Sequence, residues 1–168
     1  MLRLRRQQGL TLLEVIVVIV IIGIVSTLFM PSMAQESAAR KSVTQLFALM
    51  KAAADTSILT NFEVGLQLDT QGYRFFRWDD AAAEWRAITD DHILRPRLWP
   101  KNVTQELYMA GQKIITGAGL TLGPHIVFFA MGTLTPFDLR VSDTRSAKQY
   151  RLLAEVNGTV DFIDESTL

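Results

Sequence analysis

The sequence predicts an α+β protein in which a long N-terminal helix packs on an antiparallel β-sheet domain. Two observations carry this prediction. Residues 10–57 show helical patterns, first an uninterrupted apolar run and then an amphipathic stretch. After Thr60 the spacing of apolar residues changes from 3.6 to two, which is typical of half-buried strands. The 168 residues are enough for one small domain and one anchor.

The apolar run extends from Leu10 to Met30 and is rich in Val, Ile and Leu. As a helix it would span roughly 31 Å at ~1.5 Å per residue, close to the ~30 Å hydrocarbon core of a bilayer. We therefore predict a transmembrane helix over residues 10–30, preceded by a basic leader over residues 1–9. The leader carries three arginines, which predicts a cytoplasmic N-terminus and a body on the other side of the membrane.

Glu14 is out of place in an apolar span. An acid inside a spanning helix costs on the order of 2.5–3.5 kcal/mol and needs a partner, so such a residue indicates a function. Cleavage after Gly9 would give Leu10 a free ammonium group. That ammonium is the natural counter-charge for Glu14, in the same helix or in a neighbouring one.

Residues 9–24 resemble the class III signal of type IV pilins and type II secretion pseudopilins, in which a glycine, an acid and a continuous apolar run follow one another in register. The resemblance implies that a prepilin peptidase cuts between Gly9 and Leu10 and that Leu10 becomes N-methylated. It implies that Glu14 guides docking between helices, and that Pro31 bends the helix as it leaves the membrane. Leu10 replaces the phenylalanine that usually follows the cut, one apolar side chain for another.

Three more familiar kinds of N-terminal segment fit these residues less well. A secretory signal peptide would have the arginines, the apolar run and the small residues around position 33, but signal cores run about 7–15 residues and carry no acid. A plain single-pass anchor requires neither Gly9 nor Glu14. A twin-arginine export signal accounts only for Arg5 and Arg6.

An amphipathic continuation of the helix is predicted over residues 31–60, after an interruption at Pro31. Its apolar positions recur at helical spacing and leave the charged side chains on other faces. These positions are Val43, Leu46, Phe47, Met50 and Ala54. We expect this face to cover a sheet.

The globular domain, residues 61–168, shows a series of strand patterns. Residues 62–69 alternate strictly, which predicts a half-buried strand, and residues 73–78 follow as the returning strand. Residues 126–131 are apolar at every position and are expected to form a buried central strand. Residues 150–163 contain Asn157-Gly158, which predicts a hairpin with a two-residue turn.

Residues 89–102 interrupt the strands. Two prolines predict an irregular loop with at most one short strand. Three of its apolar residues either face a partner or tuck under the loop, and the second alternative is favoured. They are Leu94, Leu98 and Trp99. The loop also carries the one notable cluster of basic residues in the domain, which consists of Arg95, Arg97 and Lys101.

The C-terminal half carries a second resemblance. Residues 126–136 are similar to a strand, turn and proline segment of the GspH/FimT branch of minor pseudopilins and minor pilins. The match is carried by Phe128, Gly132, Thr135 and Pro136. Physically the segment is a buried strand, a glycine turn and a proline that sets the φ of the turn. It supports a pilin-like fold and a family assignment, and it indicates no chemical activity.

The sequence indicates no catalytic, cofactor or metal site. His92 and His125 stand alone, which favours structural roles. There is no nucleophile elbow, no phosphate loop and no cysteine. Asp161, Asp164 and Glu165 are expected to be a solvated charge cluster rather than a cation site. A membrane-anchored periplasmic enzyme is the alternative from another class of protein, and it has no site to support it.

The resemblance implies that the chain is an H-type minor pseudopilin of a type II secretion system. Such a subunit is expected in the inner membrane, with its C-terminal domain in the periplasm and near the tip of a short filament. There it would help to initiate the filament and to export proteins across the outer membrane. The implied partners are I-, J- and K-type minor pseudopilins, the major pseudopilin and the prepilin peptidase. The alternative is a FimT-like type IV minor pilin in pilus assembly or DNA uptake.

The charge distribution argues against a nucleic-acid partner. The chain has 17 basic and 17 acidic residues, and three of the basic ones lie in the leader. Glu14 is the one acid before Glu36, so the body of the chain, residues 36–168, carries two more acidic than basic residues. Its tail, residues 161–168, is acidic. Because phosphate contacts supply nonspecific affinity for DNA, we expect no nucleic acid to bind.

Overall fold

The computed structural model describes residues 12–28, 37–117 and 123–165. The chain divides into two compact units, Met1–Gln35 and Glu36–Leu168. The described part of the first unit is one helix, α1 (Leu12–Leu28). Within the described ranges, neither helix combines the length and the apolar character that a membrane crossing requires.

The second unit contains helix α2 (Ala38–Thr60) followed by strands in two antiparallel sheets. The strands in chain order are β1 (Val64–Leu68), β2 (Gly72–Asp79), β3 (Glu84–Ala87), β4 (Arg97–Leu98), β5 (Val103–Met109), β6 (Gln112–Ile114), β7 (Ile126–Phe128), β8 (Phe137–Asp143), β9 (Gln149–Ala154) and β10 (Val160–Asp164). The first sheet has the order β3-β2-β1-β7, with β4 paired to β2, and the second has the order β10-β9-β8-β5-β6. The predicted α+β fold is confirmed.

Helix α2 covers both sheets with the face that the sequence predicts. Val43, Leu46 and Met50 are buried, and Phe47 and Ala54 are half-buried at the margin. The helix contacts β1 and β7 of the first sheet and β8 and β9 of the second. Full burial of one such large apolar side chain contributes roughly 1.5–3 kcal/mol, so this face is a main source of stability.

Strand β8 alternates between buried and half-exposed residues. Phe137, Leu139 and Val141 are buried in the core, and Asp138 and Arg140 lie on the opposite, half-exposed face. One side of the second sheet therefore meets α2 and the core, and the other side carries charged side chains.

Strand β1 is buried on both faces, so the prediction of a half-buried strand is wrong. Leu66 faces the core, and Gly65 and Gln67 on the other face are covered as well. Pro124 packs over Gly65 so closely that a Cβ there would lie 2.4 Å from the proline Cγ. Gln67 donates from Nε2 to the carbonyl of Gly123 at 3.0 Å. The segment that leads into β7 thus covers the outer face of β1, a tertiary contact that no local pattern indicates.

Strand β7 is a three-residue strand at the end of the first sheet, so the prediction of a central strand over residues 126–131 is wrong. The chain turns directly after it. The N–H of Phe129 donates to the carbonyl of Thr133, and that of Gly132 donates to the carbonyl of Phe129. Met131 is therefore 82% exposed at the turn. An apolar run alone does not distinguish a long strand from a strand followed by an exposed turn.

The hairpin of β9 and β10 forms where the sequence predicts it, but its loop has three residues rather than two. The N–H of Glu155 donates to the carbonyl of Thr159 at 3.1 Å, which leaves residues 156–158 as the loop. Gly158 has a φ of 88°, and its N–H donates to the carbonyl of Glu155 at 3.2 Å. A left-handed glycine at the last position is the usual way to close a three-residue hairpin loop.

Candidate functional site

The predicted processing and docking residues are only partly described. Gly9 and Leu10, the predicted cleavage and methylation site, and Pro31, the predicted bend, lie outside the described residues. Glu14 lies in the first turn of α1. The side chains described in α1, residues 12–22, are exposed and apolar apart from this glutamate. Helix α1 thus presents one carboxylate on an apolar surface.

The predicted family turn motif forms the passage from one sheet to the other. Phe128, 1% exposed, ends β7 of the first sheet, and Phe137 begins β8 of the second. Thr135 binds the outer edge of β7 twice, because its N–H donates to the carbonyl of Val127 at 3.0 Å and its Oγ1 accepts from the N–H of Val127 at 3.1 Å. Pro136, which has no N–H, follows this pairing. The threonine therefore closes a strand edge.

Gly132 joins this turn to two other parts of the body. Its φ is 85°, in the left-handed region that favours glycine, and a Cβ there would lie 3.7 Å from Cδ1 of Ile58. The hairpin loop is closer still, since a Cβ on Gly158 would lie 2.2 Å from the carbonyl oxygen of Gly132. The hydroxyl of Ser57, near the end of α2, is shared between the carbonyl of Ala54 in its own helix at 2.8 Å and the carbonyl of Phe129 at 3.3 Å. The motif thus holds the end of α2, the inter-sheet turn and the hairpin together.

The start of α2 is tied to the second sheet through Ser37. Its side-chain Oγ accepts from the N–H of Arg40 at 3.1 Å and caps the helix. The same oxygen lies 2.8 Å from the hydroxyl of Tyr150, which belongs to β9 and is 1% exposed. Sequence reasoning missed this pair. A serine ahead of a helical pattern is a cap signal, but nothing local indicates its partner.

A second link between the start of α2 and the second sheet is made by the carboxylate of Asp143, at the end of β8. Its Oδ1 accepts from Nδ2 of Asn102 at 3.0 Å and from the N–H of Arg145 at 2.9 Å. These hydrogen bonds, together with one from the N–H of Ala39 in the first turn of α2, hold the pKa of Asp143 below its usual range. The negative charge also lies at the end of α2 where the helix dipole favours it.

The loop between β3 and β5 divides its apolar residues between the core and the surface. Leu94 and Trp99 are buried, which confirms the prediction that they tuck under the loop, whereas Leu98 is 80% exposed, where that prediction is wrong. The ring of Trp99 packs on Tyr73, with a centroid separation of 5.0 Å. Burial raises the pKa of Tyr73 to about 12, so this hydroxyl stays neutral.

The predicted basic cluster does not act as one unit. Arg97 is half-buried in β4, and its Nη2 donates to the carbonyl of Ile93 at 3.2 Å. Arg95 and Lys101 are exposed. In the part of the chain that the structure describes, no carboxylate forms a salt bridge with any of the three. Arg97 therefore braces the loop, and the other two face solvent.

The histidines and the acidic tail do not form a reactive site among the described residues. His125 accepts at Nδ1 from the N–H of Leu68 at 3.1 Å, and burial lowers its pKa, which confirms a structural role. Glu165 lies 3.9 Å from Nη1 of Arg151. Across residues 12–28, 37–117 and 123–165, no group of three or more His, Asp or Glu side chains is placed to hold a metal ion.

Two protein-family descriptions match the chain. The description "Prokaryotic N-terminal methylation motif" matches residues 4–30, which include Gly9, Leu10 and Glu14. The description "Type II transport protein GspH" matches residues 42–159, which extend from α2 to the hairpin loop. The two resemblances found in the sequence therefore fall in two consecutive matched regions.

Curated relatives and solved structures agree with these matches. The chain is 30% identical over 151 residues to the type II secretion system protein H of Pseudomonas aeruginosa, covering 83% of this chain and 86% of the relative. It is 27% identical over 160 residues to the protein of that name from Aeromonas hydrophila, covering 88% and 87%. In structure it is similar to the minor pseudopilin EpsH of the type II secretion system of Vibrio cholerae, with a TM-score of 0.64, 18% identity and coverages of 76% and 94%. The solution structure of Escherichia coli GspH is also similar, with a TM-score of 0.60, 18% identity and coverages of 81% and 94%.

Proposed function

The chain belongs to the type II transport protein GspH family, and we propose that it is a minor pseudopilin of type II secretion that acts near the tip of the periplasmic pseudopilus. There it helps to initiate the filament and to support protein export across the outer membrane. The observation that carries the proposal is the order of the two matched regions, a methylation motif over residues 4–30 and a GspH region over residues 42–159. An anchored helix and a small β-rich body are the parts that a filament subunit needs.

Processing of the N-terminus belongs to the same proposal. A prepilin peptidase cuts between Gly9 and Leu10, and the new N-terminus at Leu10 is methylated. The chain is held in the inner membrane by residues 10–30, and its body lies in the periplasm. The exposed apolar side chains described in α1 are those that would face lipid or neighbouring helices.

Glu14 is proposed to dock the helix against its neighbours. The partners are the major pseudopilin and the I-, J- and K-type minor pseudopilins. A buried carboxylate in lipid is stabilised when it meets an ammonium group, and the mature N-terminus of a neighbouring subunit supplies one. The chain needs no catalytic group for this role, so we infer that it is not an enzyme.

A strain of the source bacterium that lacks the gene tests the proposal. Loss of the gene should reduce the amount of secreted enzyme in the medium, and the wild-type chain should restore it. Glu14→Leu should still insert into the membrane, because it removes an acid that costs on the order of 2.5–3.5 kcal/mol there, but it should not restore secretion. The matched control is Glu155→Leu, which replaces an exposed glutamate just before the hairpin loop. Normal secretion without the gene would refute the assigned role, and full restoration by Glu14→Leu would refute the docking role.

A further inference from the structure

We propose that residues 93–101 form a rigid recognition loop that places Leu98 in an apolar pocket of an acidic partner protein, with Arg95 and Lys101 facing the acidic side chains around that pocket. The inference rests on the proposed function in one respect, because the partner is taken to be another subunit of the same pseudopilus. The shape and charge of the loop specify what that subunit must present.

Two buried side chains fix the recognition loop to the core. Leu94 near its start is 2% exposed and Trp99 near its end is 8% exposed. The N–H of Trp99 donates to the carbonyl of Gln71 at 2.7 Å. At the start, Oδ1 of Asp91 accepts from the N–H groups of Ile93 and Leu94 at 2.6 and 2.8 Å. The stretch between the anchors is therefore held at both ends.

Backbone pairing fixes the middle of the recognition loop. Arg97 and Leu98 form β4, which pairs with Tyr73 and Gly72 at the start of β2. The two backbones approach so closely that a Cβ on Gly72 would lie 2.1 Å from the carbonyl oxygen of Arg97. This pairing leaves the Leu98 side chain 80% exposed between half-buried Arg97 and buried Trp99. The backbone pairing thus holds Leu98 at the surface.

The paired backbone distinguishes Leu98 from other exposed apolar residues. Single exposed apolar residues are normal on a protein surface. A loop whose backbone is already held in place, however, loses little freedom when it binds, and this lowers the cost of association. Ile93, 56% exposed, adds a second apolar side chain to the same loop. The recognition loop therefore has the properties of an anchor for a pocket.

The charges around Leu98 specify an acidic partner. Arg95 and Lys101 are each three residues from Leu98, so their Cα atoms lie within roughly 11 Å of its Cα. Both side chains are exposed, and no carboxylate in the described ranges pairs with them. The neighbouring Asp91 is turned into the loop, where two backbone N–H groups lower its pKa. Two unpaired cations beside an apolar anchor complement an acidic rim around an apolar pocket.

The same observations favour a protein over DNA. Nonspecific binding to DNA needs a stripe of cations, because each phosphate contact contributes separately. The recognition loop presents two, since Arg97 is engaged with the carbonyl of Ile93. An exposed leucine has no partner on a phosphate backbone. The body as a whole also carries two more acidic than basic residues.

Binding of the full chain to its proposed partners tests the inference. The wild-type chain in detergent micelles is titrated with the purified periplasmic domains of the I-, J- and K-type and major pseudopilins of its own system, at low and moderate salt. We expect one of these domains to bind the wild-type chain. Leu98→Ser should raise the Kd of that complex about tenfold or more. Arg95→Glu and Lys101→Glu should each raise the Kd severalfold and reduce its dependence on salt. All three side chains are exposed, so circular dichroism should show an unchanged fold.

Two matched controls isolate the recognition loop. Leu59→Ser makes the same replacement at an 85% exposed leucine near the end of α2. Arg145→Glu makes the same charge reversal in the exposed turn between β8 and β9. Both should bind as the wild-type chain does. Equal losses in the controls and in the loop variants would overturn the proposal, because any polar replacement or charge reversal on the surface would then have the same effect.

The remaining outcomes separate this proposal from the proposed function. If the wild-type chain restores secretion to the deletion strain and the three loop variants restore it equally, the recognition loop has no such role and the function stands. If secretion does not need the gene, the function fails. Failure of every domain to bind the wild-type chain overturns the loop proposal. So does a shift of short duplex DNA that Arg95→Glu and Lys101→Glu abolish and Leu98→Ser keeps, because it would assign the loop to phosphate.

Discussion

The hydrogen bond between Ser37 and Tyr150 should contribute a measurable part of the stability of the body. Ser37→Ala removes the cap of α2 and leaves the Tyr150 hydroxyl without its partner in a site that is 1% exposed. Loss of a serine cap costs about 0.5–2 kcal/mol. A buried hydroxyl left without a partner costs about 1–3 kcal/mol. We therefore expect Ser37→Ala to lower the free energy of unfolding by roughly 2–4 kcal/mol.

Replacing the other partner of this hydrogen bond should lower the free energy of unfolding by less. Tyr150→Phe removes one hydrogen bond, about 0.5–1.5 kcal/mol, and the Ser37 oxygen keeps the N–H of Arg40 as a partner. In the double variant no orphaned hydroxyl remains, so mainly the cap is lost. The double variant should therefore be roughly 2–3 kcal/mol more stable than the sum of the single effects predicts. Since small domains have about 5–15 kcal/mol in total, all three variants should still fold.

Urea unfolding of residues 36–168 measures these values, with the slope m unchanged across the series. Tyr108→Phe is the matched control. Its hydroxyl donates to the exposed carboxylate of Glu106 at 3.0 Å, so its loss should leave the urea midpoint nearly unchanged. Additive effects of Ser37→Ala and Tyr150→Phe would refute the reasoning, because they would show that the two hydroxyls do not depend on each other.

Three further predictions concern processing, backbone geometry and pH. The intact mass of the chain from cells that contain a prepilin peptidase should match cleavage after Gly9 plus one methyl group, and an uncut chain would contradict this. Gly158→Ala should lower the free energy of unfolding by more than about 2 kcal/mol, because it adds a clash with the carbonyl of Gly132 to the strain of a positive φ. Gly111→Ala, with a φ of 76° and no neighbour within 4 Å, should lower it by about 1–2 kcal/mol. Similar losses for the two variants would contradict the close contact at Gly158. Because the pKa of Asp143 is lowered in the folded state, its carboxylate stabilises the fold above the usual pKa of about 3.9, and this stabilisation is lost as the pH falls through the pKa of the folded state. The free energy of unfolding, measured against pH, should therefore fall less steeply in acid for Asp143→Asn than for the wild-type chain.

The parts of the fold that follow from local patterns were predictable. Val43, Leu46 and Met50 recur at helical spacing and do line the buried face of α2. Phe137 and Leu139 alternate with charged residues and do face the core from β8. In both cases the burial of one face and the period of the element determine each other.

The errors arose where tertiary contacts override a local pattern. Gly65 and Gln67 alternate with apolar residues as an exposed face would, but the segment at Pro124 covers them. The run from Ile126 to Met131 is uniformly apolar, yet the chain turns after three residues. No period marks either event, because each depends on a segment distant in sequence or on the geometry of the turn.

The candidate site shows the same division. The residues of the turn motif could be identified from the sequence, but not their contact with Gly158 of the hairpin. Ser37 and Tyr150 are 113 positions apart, so no spacing rule relates them. In the loop, the sequence left open whether Leu98 and Trp99 face a partner or tuck under the loop, and it favoured the second placement for both. Only the pairing of β4 with β2 decides which of the two is buried, since it fixes the direction of each side chain.

The attachment of α2 at its two ends has a mechanical consequence. Its first turn is bound to the second sheet through Ser37 and Tyr150, and its last turns are bound through Ser57 to the carbonyl of Phe129, just after the first sheet. Tension that enters the body at residue 37 therefore reaches the second sheet first. It reaches the first sheet along the helix, whose 23 residues span about 35 Å, and through the turn of residues 129–136 that joins the two sheets. We therefore expect the Ser37–Tyr150 hydrogen bond, which lies nearest to residue 37, to bear load before the contacts at the end of α2 do.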